Sequence, residues 1–222
     1  MSCATIPDMI SNAAVFRERS SRPASRLALL ERFYTRYGLE FPRITTLRNE
    51  EMPEPYKRLL IHCHDMTSTL ETYYGSPMKI TVLSREVESG AYLREVLLKP
   101  EGGTPPVEYG VIHIHLDQLP ANARRRVLEE ERPLGNILYT EAVPYLSWPQ
   151  SFFRVGPDPH MERVLCLQQP LVLYGRRNLL LDGNRHLLAE VIEVLAPAPG
   201  SRTPETNPPN TMVNRKTRIG ET

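Results

Sequence analysis

The sequence predicts an α+β fold, a single antiparallel β-sheet of about six strands with helices packed over it. Two helical periodicities come first, and the strand-like runs then follow one another instead of alternating with helices. Links inside these runs are short, as at Ser89-Gly90 and Asp182-Gly183, and short links join antiparallel neighbours. We therefore expect one antiparallel sheet rather than a parallel α/β arrangement.

Two amphipathic helices are predicted ahead of the sheet. Apolar residues recur at helical spacing in residues 25–37 and again in residues 55–74. Each run is followed by a glycine, Gly38 and Gly75, which is a common signal for a helix end. A later helix is predicted over residues 121–130.

Short β-rich runs predict the strands, and turn residues separate them. The predicted strands are residues 78–88, 91–99, 107–116, 171–181 and 186–195. A proline and glycine break precedes a short apolar piece at residues 136–139, and residues 143–164 are strand-like but interrupted by prolines. The sheet is therefore predicted in two groups of strands, with a less regular segment between them.

The chain of 222 residues is predicted to form one domain with a tail. Its hydrophobic content of 41% is ample for a core, which we place in residues 24–196. Residues 1–23 are expected to form a mobile arm. Residues 197–222 have almost no apolar side chains, a composition typical of disordered segments.

Charge and cysteine usage exclude several classes of protein. The formal net charge is only +1, so a nucleic-acid-binding role is not expected. Cys3, Cys63 and Cys166 lie far apart without a Cys-x-x-Cys spacing, which argues against disulfides and structural zinc and favours a cytoplasmic location. The first twenty residues contain no sustained apolar run, so neither a signal peptide nor a membrane span is predicted.

Two charged residues, Arg94 and Glu190, occupy strand positions that the pattern predicts to be buried. Residues two apart share a strand face. Arg94 therefore shares a face with Tyr92, Val96 and Leu98, and Glu190 shares a face with Leu188, Ile192 and Val194. A buried charge requires a partner. The pattern allows a structural ion pair between the two residues or a small site for an acidic ligand.

Three other places could complete such a site. A glycine at Gly135 would let the backbone near Leu134 approach a ligand closely. Met66 lies on the apolar stripe of the second predicted helix, as a core residue or as a flexible lid. Arg176 and Arg177 could bind a second carboxylate or pair with surface acids, and adjacent strand residues face opposite sides.

Histidine-containing motifs do not predict a metal site. Residues 62–65 read His-Cys-His-Asp, but a helical conformation would direct residues two apart away from each other. His113 and His115 share a strand face, and no third ligand lies nearby in the sequence. These motifs therefore predict no metal site.

Three segments in order resemble the signature segments of chorismate pyruvate-lyase. They are residues 92–98 (YLREVLL), residues 132–139 (RPLGNILY), and residues 174–190 from YGRR to LAE. The resemblance covers about residues 59–197. It implies an antiparallel sheet that encloses a small internal cavity, in agreement with the fold predicted above.

The resemblance also implies roles for individual residues. Arg94 corresponds to the arginine that holds the ring carboxylate, Leu134 to the residue whose backbone binds the same group, and Glu190 to the acid near the ring hydroxyl. Asp65-Met66-Thr67 looks like the lid segment. The implied reaction eliminates pyruvate from chorismate to give 4-hydroxybenzoate without a cofactor. Arg94 and Glu190 are then expected at opposite ends of one ring-sized cavity, without direct contact.

One departure from the family keeps other functions open. The ubiquinone-pathway enzymes of this family carry Gly-Arg on the strand that corresponds to Tyr109-Gly110-Val111, whereas this chain has no arginine between Lys99 and Arg124. Arg176, Arg177 or Lys99 would have to bind the pyruvyl group. The alternatives are an enzyme for a different acidic substrate and a non-catalytic small-acid-binding domain. Only one convincing helix in the first 50 residues argues against an appended DNA-binding segment, and the sequence predicts no oligomeric state.

Overall fold

One antiparallel sheet of seven strands forms the centre of the protein. The computed structural model describes residues 27–102 and 105–199. The strands are β1 (Ile44–Leu47), β2 (Met78–Glu88), β3 (Ala91–Pro100), β4 (Glu108–His115), β5 (Leu146–Val155), β6 (Leu173–Leu181) and β7 (Leu187–Leu195). Neighbours in the order β1-β5-β6-β7-β4-β3-β2 all pair antiparallel. The predicted α+β class with a single antiparallel sheet is confirmed.

Helices cover both faces of this sheet. They are α1 (Ala28–Arg36), α2 (Tyr56–Leu60), α3 (Met66–Tyr74), α4 (Ala121–Glu129), α5 (Leu134–Thr140) and α6 (Pro159–Val164). Side chains of α1 and α6 pack with Leu93, Tyr109, Ile192 and Val194 of the sheet. Side chains of α2 to α5 pack with the alternate strand residues, among them Val96, Leu98, Ile112 and Val191. The buried residues therefore form one cluster on the first face and two clusters on the second, and alternate strand side chains contribute to opposite faces.

The single helix predicted over residues 55–74 is two helices, α2 and α3, and that prediction is wrong. Residues 61–65 are not helical and turn the chain between them. Asp65 caps α3, because its carboxylate accepts from the backbone N–H of Ser68 at 2.8 Å. The argument against a metal site at residues 62–65 assumed that these residues are helical, and that assumption is also wrong.

Two strands, β1 and β5, come from segments with weak sequence patterns, and β1 is the strand beyond the predicted six. β1 has only four residues and was not predicted. β5 lies in the proline-rich segment, and Pro149 is placed at a register shift, beyond residues 152–155 that pair with β1. There its missing N–H breaks no ladder on the β1 side. The apolar piece at residues 136–139 is part of α5.

The predicted arm, residues 1–23, and most of the predicted tail lie outside the described residues. The first tail residues, 197–199, are described. Ala198 is buried, and its N–H donates to the Tyr56 hydroxyl at 3.2 Å. No helix within residues 27–102 and 105–199 is both long enough and apolar enough to cross a bilayer.

Candidate functional site

A small cavity lies between the sheet and the first turns of α3 and α5. Its volume is about 50 Å³. The strands contribute its polar wall, Arg94, Glu108, Asn178 and Glu193, and the helix side contributes Asp65, Met66, Thr67, Leu134 and Gly135. Of the residues predicted from the sequence, Arg94, Met66, Leu134 and Gly135 therefore line one cavity.

Arg94 is a fully buried cation in the wall of this cavity, with a side-chain exposure of 0%. None of its three guanidinium nitrogens has a hydrogen-bond partner among the described residues. Burial lowers the pKa of Arg94 from 12.5 to about 10, and the nearby Tyr92 and Glu130 oppose this shift. The side chain is therefore still charged at neutral pH. A buried charge without a partner is costly, so this guanidinium is suited to an anionic ligand.

Glu108 is a buried carboxyl on the same face, and sequence reasoning missed it. It is 4% exposed, and its Oε2 atom has no partner among the described residues. Burial raises the pKa of Glu108 well above 4.5, and the charge of Glu193 acts in the same direction. A Cβ added at Gly110 would lie 3.5 Å from Glu108 Oε1 and 3.2 Å from Val96 Cγ2, so the glycine leaves room for the carboxyl. The sequence signal that could have identified Glu108 is that residues 108, 110 and 112 lie two apart along β4 and therefore share one strand face.

Asn178 supplies a further acceptor to the cavity. It is 1% exposed, and its Nδ2 donates to the Ser147 hydroxyl at 2.9 Å. That hydroxyl in turn donates to the His64 carbonyl at 3.4 Å, so it must accept from the asparagine. Asn178 Oδ1 has no partner among the described residues. The cavity thus contains unpaired donors on Arg94 and unpaired acceptors on two other strands.

Arg176 is buried as completely as Arg94, but its hydrogen bonds are satisfied. Its Nε donates to Glu193 at 2.5 Å, and its terminal nitrogens donate to the carbonyls of Leu60, His62 and His64 at 3.1 to 3.4 Å. These bonds attach the turn between α2 and α3 to the sheet. The predicted ligand contact of Arg176 is replaced by this positioning role, since the side chain does not line the cavity.

The helix side of the cavity depends on a close approach of α5 to α3. A Cβ added at Gly135 would lie 2.7 Å from Asp65 Oδ1 and 3.1 Å from Thr67 Oγ1. Only a glycine allows this approach without a shift. Met66 and Leu134, the first residues of the two helices, are both buried against the cavity. A wider cleft of about 610 Å³ lies on the outer side of Asp65 and Gly135.

Glu190 and Arg177 lie on the opposite face of the sheet. Glu190 is opposite His113 on β4, whereas Arg94 is opposite Ile112, so their side chains point to different sides. Arg177 Nε donates to Glu190 Oε1 at 2.7 Å, and both side chains are about one-quarter exposed, at 24% and 21%. Arg94 and Glu190 are not in contact, but they also do not share a cavity. The predicted site with a residue at each end is corrected accordingly.

The described residues contain no group of three His, Cys, Asp or Glu side chains placed to hold a metal ion. The rings of His113 and His115 lie 4.5 Å apart without a third ligand. His62 interacts with Arg176, and burial lowers the pKa of His62 to about 4, with the Arg176 charge acting in the same direction. This histidine is therefore neutral at physiological pH.

Comparisons with known proteins found no similar sequence and only distant structural similarity. No model of a known protein family and no curated protein sequence matches the chain. The chain is similar to the crystal structure of PhnF from Mycobacterium smegmatis, with a TM-score of 0.48 and 11% identity over 76% of this chain and 92% of that chain. For the effector domain of PhnF the TM-score is 0.45, with 11% identity over 60% of this chain and 88% of that chain.

A third similar structure is the ligand-binding domain of a protein from Bordetella bronchiseptica described as a GntR-family transcriptional regulator. Its TM-score is 0.43, with 9% identity over 54% of this chain and 85% of that chain. At these values the likeness concerns the path of the chain and transfers no ligand or partner.

These findings correct the chorismate pyruvate-lyase expectation. The three similar structures are PhnF, its effector domain, and the ligand-binding domain of a protein described as a GntR-family transcriptional regulator, and none is described as a lyase. The predicted family and the predicted carbon-oxygen lyase activity on chorismate are therefore wrong. The predicted association with aromatic biosynthesis is wrong for the same reason. The reason is physical: the three resembling segments form β3, α5 and the β6–β7 hairpin, so they report the fold and not the chemistry.

Proposed function

We propose that this chain is a non-catalytic ligand-binding domain for a short small-molecule acid, whose carboxylate pairs with Arg94. The observation that carries the proposal is the buried guanidinium with three unpaired nitrogens in the wall of a cavity. Guanidinium offers a planar pair of N–H donors that matches a carboxylate. An anion at this position would remove the cost of the buried charge.

The groups around the cavity are arranged to hold a ligand rather than to transfer its protons. Burial favours the neutral form of Glu108. The carboxylates of Glu193 and Asp65 are engaged, one by Arg176 and the other by the first turn of α3. A general base must be free to accept a proton from the ligand, and two of these three carboxyls are held by other groups.

The size of the cavity limits the ligand to a short, non-aromatic chain. Its volume is about 50 Å³, whereas an engineered cavity of roughly 150 Å³ holds benzene. A benzoate ring, or an open chain with as many heavy atoms as benzene, would enter only if α3 and α5 moved apart. The smallest acids therefore fit the cavity best.

The proposed setting is the cytoplasm, as for many small organic acids. Cys3, Cys63 and Cys166 are scattered, without the paired spacing of a disulfide framework. An oxidising environment would therefore not stabilise this chain through disulfide bonds.

Isothermal titration calorimetry tests the proposed function directly. The panel contains carboxylic acids of two to six carbons, with and without an amino group, and 4-hydroxybenzoate as the ring-sized member. We expect saturable one-to-one binding of at least one short acid. Arg94→Gln should weaken this binding by about 10-fold or more, because a hydrogen bond to a charged group is lost.

The control is Arg177→Gln, which removes an arginine of β6 that pairs with Glu190 on the opposite face of the sheet. It should leave the affinity unchanged. The proposal is overturned if no acid in the panel binds, or if Arg94→Gln binds as tightly as the unmodified protein.

A further inference from the structure

We infer that the cavity has a second recognition group, formed by Glu108 and Asn178, and that its ligand is a short amino acid whose ammonium group binds there. The carboxylate of the same molecule would pair with Arg94. The inference rests on the proposed function and specifies its ligand class.

The geometry that supports the second group is a pair of buried oxygens without donors. Glu108 Oε2 and Asn178 Oδ1 both belong to residues that line the cavity, and neither has a hydrogen-bond partner among the described residues. Each residue is more than nine-tenths buried. A buried acceptor without a donor is destabilising, so a ligand that donates to both oxygens would remove that cost. An ammonium group has three donors and fits this need.

The charges around the cavity favour a ligand with no net charge. Arg176 and Glu193 form an ion pair, and Arg94 and Asp65 carry opposite charges. The charges of these four groups sum to zero, and Glu108 adds no charge while it is protonated. A simple carboxylate would add an uncompensated negative charge near Glu193 and Asp65. A zwitterion would place its negative end at Arg94 and its positive end beside Glu108, so each end of the ligand would face a group of opposite charge once Glu108 ionises.

The two recognition groups are well separated along the sheet. Arg94 is opposite Ile112 on β4, and Glu108 lies four residues before Ile112 on the same strand. At a rise of about 3.3 Å per residue this offset is about 13 Å between backbone positions. This offset joins backbone positions and is longer than a short amino acid, so the side chains of Arg94 and Glu108 must cover part of it. An amino group at the far end of the chain leaves them less distance to cover than one on the α-carbon. We therefore place the ligand among the short ω-amino acids.

Binding of an ammonium group should release a proton from Glu108. Burial and the charge of Glu193 raise the pKa of Glu108 in the ligand-free protein, the nearby Asp65 acts in the same direction, and Arg176 opposes. A cation placed beside the carboxyl would favour its ionised form, and the proton would leave to solvent. Proton release is therefore a signature that a neutral or purely anionic ligand would not give.

The test compares matched pairs by calorimetry: β-alanine with propionate, and 4-aminobutyrate with butyrate. The amino member of at least one pair should bind about 10-fold more tightly or better, since it adds a charge-assisted hydrogen bond. Titrations in buffers of different ionisation enthalpy should show net proton release on binding of the amino member. In Glu108→Gln the preference and the proton release should both disappear, while Glu190→Gln, on the opposite face, should keep both.

The outcomes separate this inference from the proposed function. Equal or tighter binding of propionate and butyrate, or an unchanged preference in Glu108→Gln, overturns the inference and leaves an acid-binding domain. Tighter binding of 2-aminobutyrate than of 4-aminobutyrate overturns the end-to-end placement. Absence of binding by every acid, with or without an amino group, removes both. Proton release in the unmodified protein needs no variant, so the test does not depend on the folding of Glu108→Gln.

Discussion

Arg94 and Glu95 are adjacent on β3, and both are almost completely buried, but their surroundings differ. Glu95 faces α1 and α6, where it accepts from the Tyr109 hydroxyl at 2.7 Å, from His160 at 2.8 Å and from Ser84 at 3.2 Å. Arg94 faces α3 and α5, and its guanidinium has no partner among the described residues. Burial of a charge therefore does not by itself indicate function. What separates the two faces is whether the hydrogen-bond partners are complete.

The pKa values of two buried glutamates express the same difference. Burial acts to raise the pKa of Glu95, but hydrogen bonds from His160 and Tyr109 outweigh it, and the pKa is lowered. Burial also raises the pKa of Glu108, and there the charge of Glu193 reinforces the effect, so the pKa stays well above 4.5. One face stabilises a charge with protein groups, and the other leaves that task to a ligand.

The largest expected effect contrasts the two fully buried arginines of the cavity side. Arg176→Met should lower the free energy of unfolding by about 3–5 kcal/mol, because Glu193 and three backbone carbonyls would lose their partner. Arg94→Met should raise it by about 1 kcal/mol or more, since an unpaired buried charge is replaced by an apolar chain. Urea unfolding at pH 7 measures both. A loss in Arg94→Met as large as that in Arg176→Met would show that Arg94 has a structural role.

The pH dependence of stability should have opposite signs for Glu108 and Glu95. The raised pKa of Glu108 means that its contribution is fully present below about 4.5 and is lost as the pH rises toward the folded-state pKa. Glu108→Gln should therefore gain stability relative to the unmodified protein as the pH rises, by up to about 1.4 kcal/mol per unit. The lowered pKa of Glu95 means that its contribution is present above 4.5 and is lost as the pH falls through the folded-state pKa.

Urea unfolding at pH 4, 5.5 and 7 distinguishes the two glutamates. Glu95→Gln should be most destabilising at pH 7 and less so at pH 4, the reverse of the trend for Glu108→Gln. Parallel trends in the two variants would mean that the faces do not differ in the way that their hydrogen bonds indicate.

The sequence predicted the sheet and Arg94 because both depend on local alternation. β3 was recognised as a strand, and a charge between apolar residues two positions away stands out. For β7 the same reasoning could not tell which residues face the cavity, because most residues on both faces of this strand are buried. Glu190 was therefore placed on the cavity side, whereas Val191 and Glu193 line the cavity. Glu108 was missed because it begins a strand directly after a proline- and glycine-rich stretch.

The break between α2 and α3 could not be predicted from local sequence. Helical periodicity continues from residue 55 to residue 74, so the pattern favours one helix. Arg176, which follows Leu60 by 116 residues, holds the carbonyls of the intervening turn away from helical geometry. Such a break depends on a tertiary contact, and it is this break that brings Asp65 and Met66 to the cavity.

The smallest expected effect concerns Glu190 and Arg177, and it tests the assignment of the two faces. Their ion pair is about one-quarter exposed, so Glu190→Gln should change the free energy of unfolding by less than about 1 kcal/mol. It should leave the affinity for short amino acids within about twofold, because its side chain points away from the cavity. Unfolding and titration of the same preparation check both values. A 10-fold loss of affinity in this variant would return Glu190 to the ligand site and contradict the separation of the two faces.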